Sequence, residues 1–167
     1  MLKRYVKLSA VMFMAIVAVL LLAACGEASI SRPQPKVDAV MVKVTGSCDI
    51  NISDEIITVS GQTDIEKGAV IHVSVVSQSG AVIDHQIITK DSDDIKCVFE
   101  KTQDKYGDIS QVTGYITFAP SRYGKQSDAI YSVYGEKFEN IEYDKESVVW
   151  DNSGIIVLFA SETLSIK

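Results

Sequence analysis

Residues 69–89 read AVIHVSVVSQSGAVIDHQIIT, and this stretch decides the fold class. Two runs rich in valine and isoleucine, residues 69–76 and 81–89, flank Ser77-Gln78-Ser79-Gly80. β-Branched residues suit a pleated surface, and a polar, glycine-ended break between two such runs predicts a β-hairpin. Working outward, Val40, Val42 and Val44 alternate with Met41, Lys43 and Thr45, which predicts a strand there. Further strands are expected at residues 55–61, 95–100, 111–119 (ended by Pro120) and 129–134. Ser147 to Trp150 and Ile155 to Ala160 flank Asp151-Asn152-Ser153-Gly154, a second hairpin, with a short strand at 163–166. No stretch after residue 26 repeats its apolar residues at helical spacing. Short strands with turns every eight to twelve residues or so predict an all-β antiparallel sandwich over residues 37–167.

The chain begins differently. Lys3, Arg4 and Lys7 come first, no acidic residue appears before Glu27, and residues 8–24 are apolar apart from Ser9. A basic flank, an apolar run and a small-residue exit are the parts of an export signal, expected to be residues 1–24. As a helix the run would be roughly 25 Å long, so an uncleaved membrane anchor is the alternative. Leu22-Ala23-Ala24-Cys25 decides between them, because it resembles the lipobox of bacterial lipoproteins. That resemblance implies a diacylglycerol thioether on Cys25, cleavage before it, and anchoring on the outer side of a membrane. With Gly26 next, the outer membrane is implied if the cell has one. Residues 25–36, with Ser29, Ser31, Pro33 and Pro35, read as a tether.

A second resemblance lies within residues 55–140. Thr58-Val59-Ser60-Gly61-Gln62-Thr63-Asp64, followed by Lys67-Gly68-Ala69-Val70-Ile71-His72-Val73-Ser74-Val75, looks like the opening strands of bacterial immunoglobulin-like domains. Phe118-Ala119-Pro120 and Tyr134-Gly135-Glu136-Lys137-Phe138-Glu139-Asn140 are similar to a later strand and loop of the same modules. The likeness implies an immunoglobulin-like sandwich of the sort used in adhesion, spacing or presentation. The Cys…Trp…Cys spacing of antibody domains is missing, and there is no second copy of the module.

Composition narrows the partners. Removing residues 1–24, which carry three basic and no acidic groups, takes the formal net charge from −6 to −9. An acidic domain repels phosphate backbones, so nucleic acid is not an expected partner. With Cys25 committed to lipid, Cys48 and Cys97 remain. Cys97 alternates inward with Ile95 and Phe99, whereas Cys48 sits in a turn-like Gly46-Ser47-Cys48-Asp49. A disulfide closing about 50 residues and two unpaired thiols both stay open.

Candidate chemistry is sparse. His72 and His85 would face each other if the first hairpin turned between Gln78 and Ser79. With Asp84 such a pair would lack a third firm metal ligand. Asp91-Ser92-Asp93-Asp94 offers oxygens to calcium, but Lys96 and Thr102 stand where an EF-hand loop has Gly and Glu, so a solvated turn is expected. No Gly-x-Ser-x-Gly, phosphate loop or His-Glu-x-x-His occurs, and no enzyme, metal or cofactor is expected. Tyr106, Tyr115, Tyr123, Tyr131, Tyr134 and Tyr143 cluster in the second half. Among them Tyr123 is flanked by Arg122 and Lys125 in a loop after Pro120, and these three residues are the expected partner contacts. The expected function is a lipid-anchored, non-catalytic module engaging a protein or envelope polymer. The alternative is an accessory subunit of an envelope complex or an inhibitor of an extracellular enzyme.

Overall fold

The computed structural model describes residues 30–142 and 147–166. The signal segment, Cys25 and Tyr143 lie outside the described residues. Ten elements follow in order: β1 (Asp49–Ile52), β2 (Ile56–Gln62), β3 (Val70–Ser77), β4 (Val82–Thr89), β5 (Asp94–Glu100), α1 (Gln103–Tyr106), β6 (Gln111–Phe118), α2 (Asp128–Tyr134), β7 (Val148–Asp151) and β8 (Gly154–Ser165). They build an all-β sandwich. One sheet has the order β1-β2-β5 and the other β4-β3-β6-β8-β7, with every pairing antiparallel. The chain crosses between sheets after β2, after β4 and after β5. The pairings β2–β5, β3–β6 and β6–β8 form the centres of the two sheets, and β4 lies beside β3 at an edge.

Alternation explains the core. On β5 the outward Asp94, Lys96, Val98 and Glu100 alternate with buried Ile95, Cys97 and Phe99. Ile57 and Val59 from β2 meet Ile71, Val73 and Val75 from β3 and Ile116 and Phe118 from β6, all of them fully buried. Phe118, Tyr134 and Phe138 form an aromatic cluster at one end, with ring centroids 4.3–5.7 Å apart. Ring edges set against ring faces favour this packing beyond the area it buries.

Several elements depart from the sequence reading. Residues 129–134 are helical, not extended. Ser127 caps this helix by accepting from the Ile130 amide (3.3 Å), and Ile130 and Tyr134 drop into the core one turn apart. At seven residues the helix is too short for its period to stand out from an alternating strand. Val40 to Val44 form no strand either. Among the described residues, Val42 alone of this segment finds backbone partners, donating to Asn140 O and accepting from the Glu142 amide, both at 2.8 Å. Val42 and Val44 are half-buried against the core, whereas Val40 is 81% exposed, so the alternation reaches the core without pairing as a strand. The first strand is β1 instead, directly after the segment read as a turn, and Cys48 is buried at its head. One compact unit runs Arg32–Lys167, and in it Arg32 Nη2 donates to Ile141 O (3.1 Å). That unit contains every residue of the described core. Among the described residues, no helix is long and apolar enough to cross a membrane.

Candidate functional site

The loop between β6 and α2 is built by a splice. Pro120 lacks an N–H and ends β6, which would leave the start of β3 without a neighbour. Gln126 takes the vacant place with its side chain. Its Oε1 accepts from the Val70 amide (2.8 Å), and its Nε2 donates to Val70 O (2.8 Å) and Ala119 O (2.9 Å). At 2% exposure the amide behaves as a missing piece of ladder. Tyr131 Oη donates to Pro120 O (2.8 Å), tying the helix back to the loop's origin. Between these ties the chain presents Arg122, Tyr123 and Lys125.

Tyr123 does not stand free in solvent as expected of a recognition loop. Its ring lies flat on His72, with centroids 3.8 Å apart and planes within 6°, and it is half-buried. His72 projects from the outer face of β3, where Ile87 and Thr117 flank it across the sheet. Beneath the tyrosine it is only 5% exposed, and its Nδ1 has no hydrogen-bond partner. Burial, then the neighbouring His85 and Arg122, push its pKa down to about 4, so the stacked imidazole is neutral at pH 7. The Arg122 guanidinium sits 5.8 Å from the Tyr123 centroid, and its Nη1 pairs with Asp151 Oδ2 at 3.3 Å. Asp151 belongs to the β7–β8 turn and is itself fixed, since its Oδ1 accepts from the Ser153 amide (2.7 Å) and hydroxyl. These bonds from Ser153, with a smaller contribution from Arg122, hold its carboxyl below the usual carboxylate range. Lys125 is exposed on the same loop and takes no part in the stack.

Arg122 and Tyr123 are therefore brought together, joined by His72 and Asp151, which sequence reading had assigned elsewhere. The signal for Asp151 was present, because an Asp opening a tight turn has one carboxylate oxygen left over. His72 had only an outward strand position to mark it.

The other candidates separate. His85 opposes Ser74, and His72 opposes Ile87, so the two histidines meet only diagonally, with centroids 5.2 Å apart. The turn is responsible. Gly80, at φ 82°, donates to Ser77 O, and the Ser77 amide donates to Ala81 O (both 2.9 Å), closing a three-residue loop. A register shift between Val75 and Val76 follows it. Asp84 projects from the opposite face of β4 and pairs with Lys105 of α1 (2.5 Å). In the acidic run Asp93 is turned back onto the buried Lys90 ammonium (2.8 Å). Among the described residues no three His, Cys, Asp or Glu side chains are grouped to hold a metal.

Cys48 and Cys97 are both buried free thiols. Cys48 immediately precedes Asp49, which pairs with Ser60, while Cys97 pairs with Val59 on the far side of β2. They sit two strands apart and two residues out of step, about 12 Å between Cα atoms, beyond the ~7 Å reach of a disulfide. Burial pushes the Cys48 thiol up to about 12, and the thiol donates to Gly114 O (3.4 Å).

No known protein family, characterised protein or solved structure matches the chain. Its function has to be read from this geometry.

Proposed function

We propose that the chain is a lipid-anchored extracytoplasmic binding module, non-catalytic, engaging an envelope polymer or protein through the surface around Tyr123. One observation carries this reading: an aromatic ring and a guanidinium are fixed in place before any ligand arrives. Stacking on His72 and pairing with Asp151 remove rotamer freedom that binding would otherwise have to freeze out. Tyr and Arg are also the side chains that most often dominate binding energy. Anchoring rests on Leu22-Ala23-Ala24-Cys25 and the basic, apolar segment before it. Two or three acyl chains, at about 0.8 kcal/mol per buried CH₂, would hold the domain on the membrane durably.

The test has two arms. Cys25→Ser in the full chain abolishes incorporation of a fatty-acid label and moves the protein out of the membrane fraction. Unchanged fractionation removes the anchor. The unit Arg32–Lys167 is immobilised and offered cell-wall polymer and detergent-solubilised envelope proteins. Arg122→Ala with Tyr123→Ala abolishes retention, and undiminished retention moves the site elsewhere.

A second reading, an accessory subunit or inhibitor, is favoured by β4. Of the four sheet edges, β1 and β7 have four residues each, and β5 turns Asp94, Lys96 and Glu100 outward. β4 has eight residues, pairs on one side only, and exposes Val82 and Ile87 at 55% and 52%. A long edge without lysine or proline accepts an added strand from a partner protein. On this reading Ile87→Lys blocks capture of a single stoichiometric protein, whereas Arg122→Ala leaves it intact.

A further inference from the structure

We infer that the Tyr123 surface binds a neutral, β-linked pyranose chain with gluco-type equatorial hydroxyls, an inference that rests on the binding-module reading. Three features select this ligand class.

The first is the aromatic ring. One face of Tyr123 is spent on His72, so its remaining exposure belongs to the opposite side and the edges. The Arg122 guanidinium lies over the ring at 5.8 Å from its centroid, beyond the roughly 3.5–4.0 Å of van der Waals contact, so it borders the free face and offers its donors to a ligand seated there. A pyranose with equatorial hydroxyls presents a flat face of C–H bonds, which packs on an aromatic face without desolvating a polar group. Ile87, 52% exposed and level with His72 across the sheet, extends the apolar floor.

The second is the ion pair. The guanidinium gives one N–H to Asp151, at 3.3 Å, and has others to offer. Asp151 Oδ1 is occupied by Ser153, while Oδ2 retains lone-pair capacity. A fixed donor beside a fixed acceptor suits adjacent hydroxyls, each of which donates and accepts. Both side chains are half to one-third exposed, so a ligand reaches them without breaking the fold.

The third is charge. Arg122 and Asp151 cancel, and His72 is neutral beside them. A formal net charge of −6 over the whole chain opposes a polyanion, whereas a neutral polymer meets no such barrier.

The experiment is isothermal titration of the unit Arg32–Lys167 with cellohexaose, chitohexaose and, as the anionic comparison, oligogalacturonate. Saturable binding of either neutral oligosaccharide is expected, with no binding of the anionic one. Preference for chitohexaose would identify an amino-sugar polymer of the wall type, and preference for cellohexaose a plain glucan. Arg122→Ala, and Tyr123→Leu, which still covers His72, each weaken binding about tenfold or more. Asp151→Asn keeps an acceptor for Ser153 and lowers affinity in the same direction. Lys96→Ala, on the other sheet, leaves it unchanged. Each variant's melting curve separates lost binding from lost folding. Absence of binding by folded wild type, preference for oligogalacturonate, or affinity untouched by both loop variants overturns the inference. If the oligosaccharides fail while capture of an envelope component still depends on Arg122 and Tyr123, only the ligand class is wrong. If that capture also fails, the binding-module reading falls with it.

Discussion

Replacing Gln126 by leucine keeps the side chain's bulk and removes all three of its hydrogen bonds. In an antiparallel strand the N–H and C=O of one residue point to the same side. Those of Val70 point to the side that β6 vacates at Pro120, and Gln126 serves both. Leaving a buried N–H unpaired costs about 1–3 kcal/mol, and the Val70 and Ala119 carbonyls, each losing a donor, add less. A total near 3 kcal/mol is a large part of a domain's usual 5–15 kcal/mol. At this chain length about 3–4 °C is lost per kcal/mol, so the melting temperature of Arg32–Lys167, followed by circular dichroism, should fall by roughly 10 °C. Gln126→Glu sharpens the test. One carboxylate oxygen still accepts from the Val70 amide, but the other faces two carbonyls without a proton to give. At neutral pH this variant should be at least as unstable as the leucine variant. As pH falls and the carboxyl protonates, its deficit relative to wild type should shrink. A leucine variant melting within about 3 °C of wild type would show that water replaces the amide and would refute the splice.

The thiol geometry predicts that Arg32–Lys167 purified without reductant contains two titratable thiols in denaturant and almost none while folded; a count of zero in denaturant would mean a disulfide and a different register. His72 titrates near 4 when folded against an ordinary 6.5, so the unfolded chain takes up its proton first. Its contribution is intact above pH 6.5 and should fall by about 2–3 kcal/mol as pH drops towards 4. His72→Phe keeps a stacked ring and should flatten that part of the urea-measured stability curve, whereas an unchanged slope would clear His72 of the effect. A Cβ on Gly61 would overlap the Ser47 carbonyl and come within 2.8 Å of Ile116 Cδ1, so Gly61→Ala should cost more than about 2 kcal/mol. Gly68→Ala meets nothing within 4 Å and carries only the strain of φ 87°, so about 1 kcal/mol is expected in the same assay.

Strands with one buried face were legible because period-two burial is local. β2, β5 and β6 fall within a residue or so of their expected limits, and the β7–β8 turn lies at Asn152-Ser153. What failed needed information from elsewhere in the chain. Val40 to Val44 alternate, yet a strand forms only where another strand offers it an edge. The segment 128–134 is helical because Ser127 caps it and two of its residues drop into an aromatic core, neither of which the alternation records. The diagonal placement of the histidines turned on a three-residue loop and a register shift, which together displace the pairing by two residues. In the candidate site, Arg122 and Tyr123 were visible from composition, since a loop after a strand-ending proline favours exposure. Their partners His72 and Asp151 were not, because a stack and an ion pair across the fold leave no mark on the spacing of either residue.

Asp151 serves the β7–β8 turn and the Arg122 loop at once, although 29 residues separate it from Arg122. The surface therefore draws on three distant parts of the chain and is incomplete in any fragment that lacks one of them. A polypeptide whose β7 and β8 are not yet made carries the arginine and tyrosine but cannot hold them in place. Closure over such sequence distances comes late in folding. An antibody specific for the assembled stack would therefore count only finished molecules.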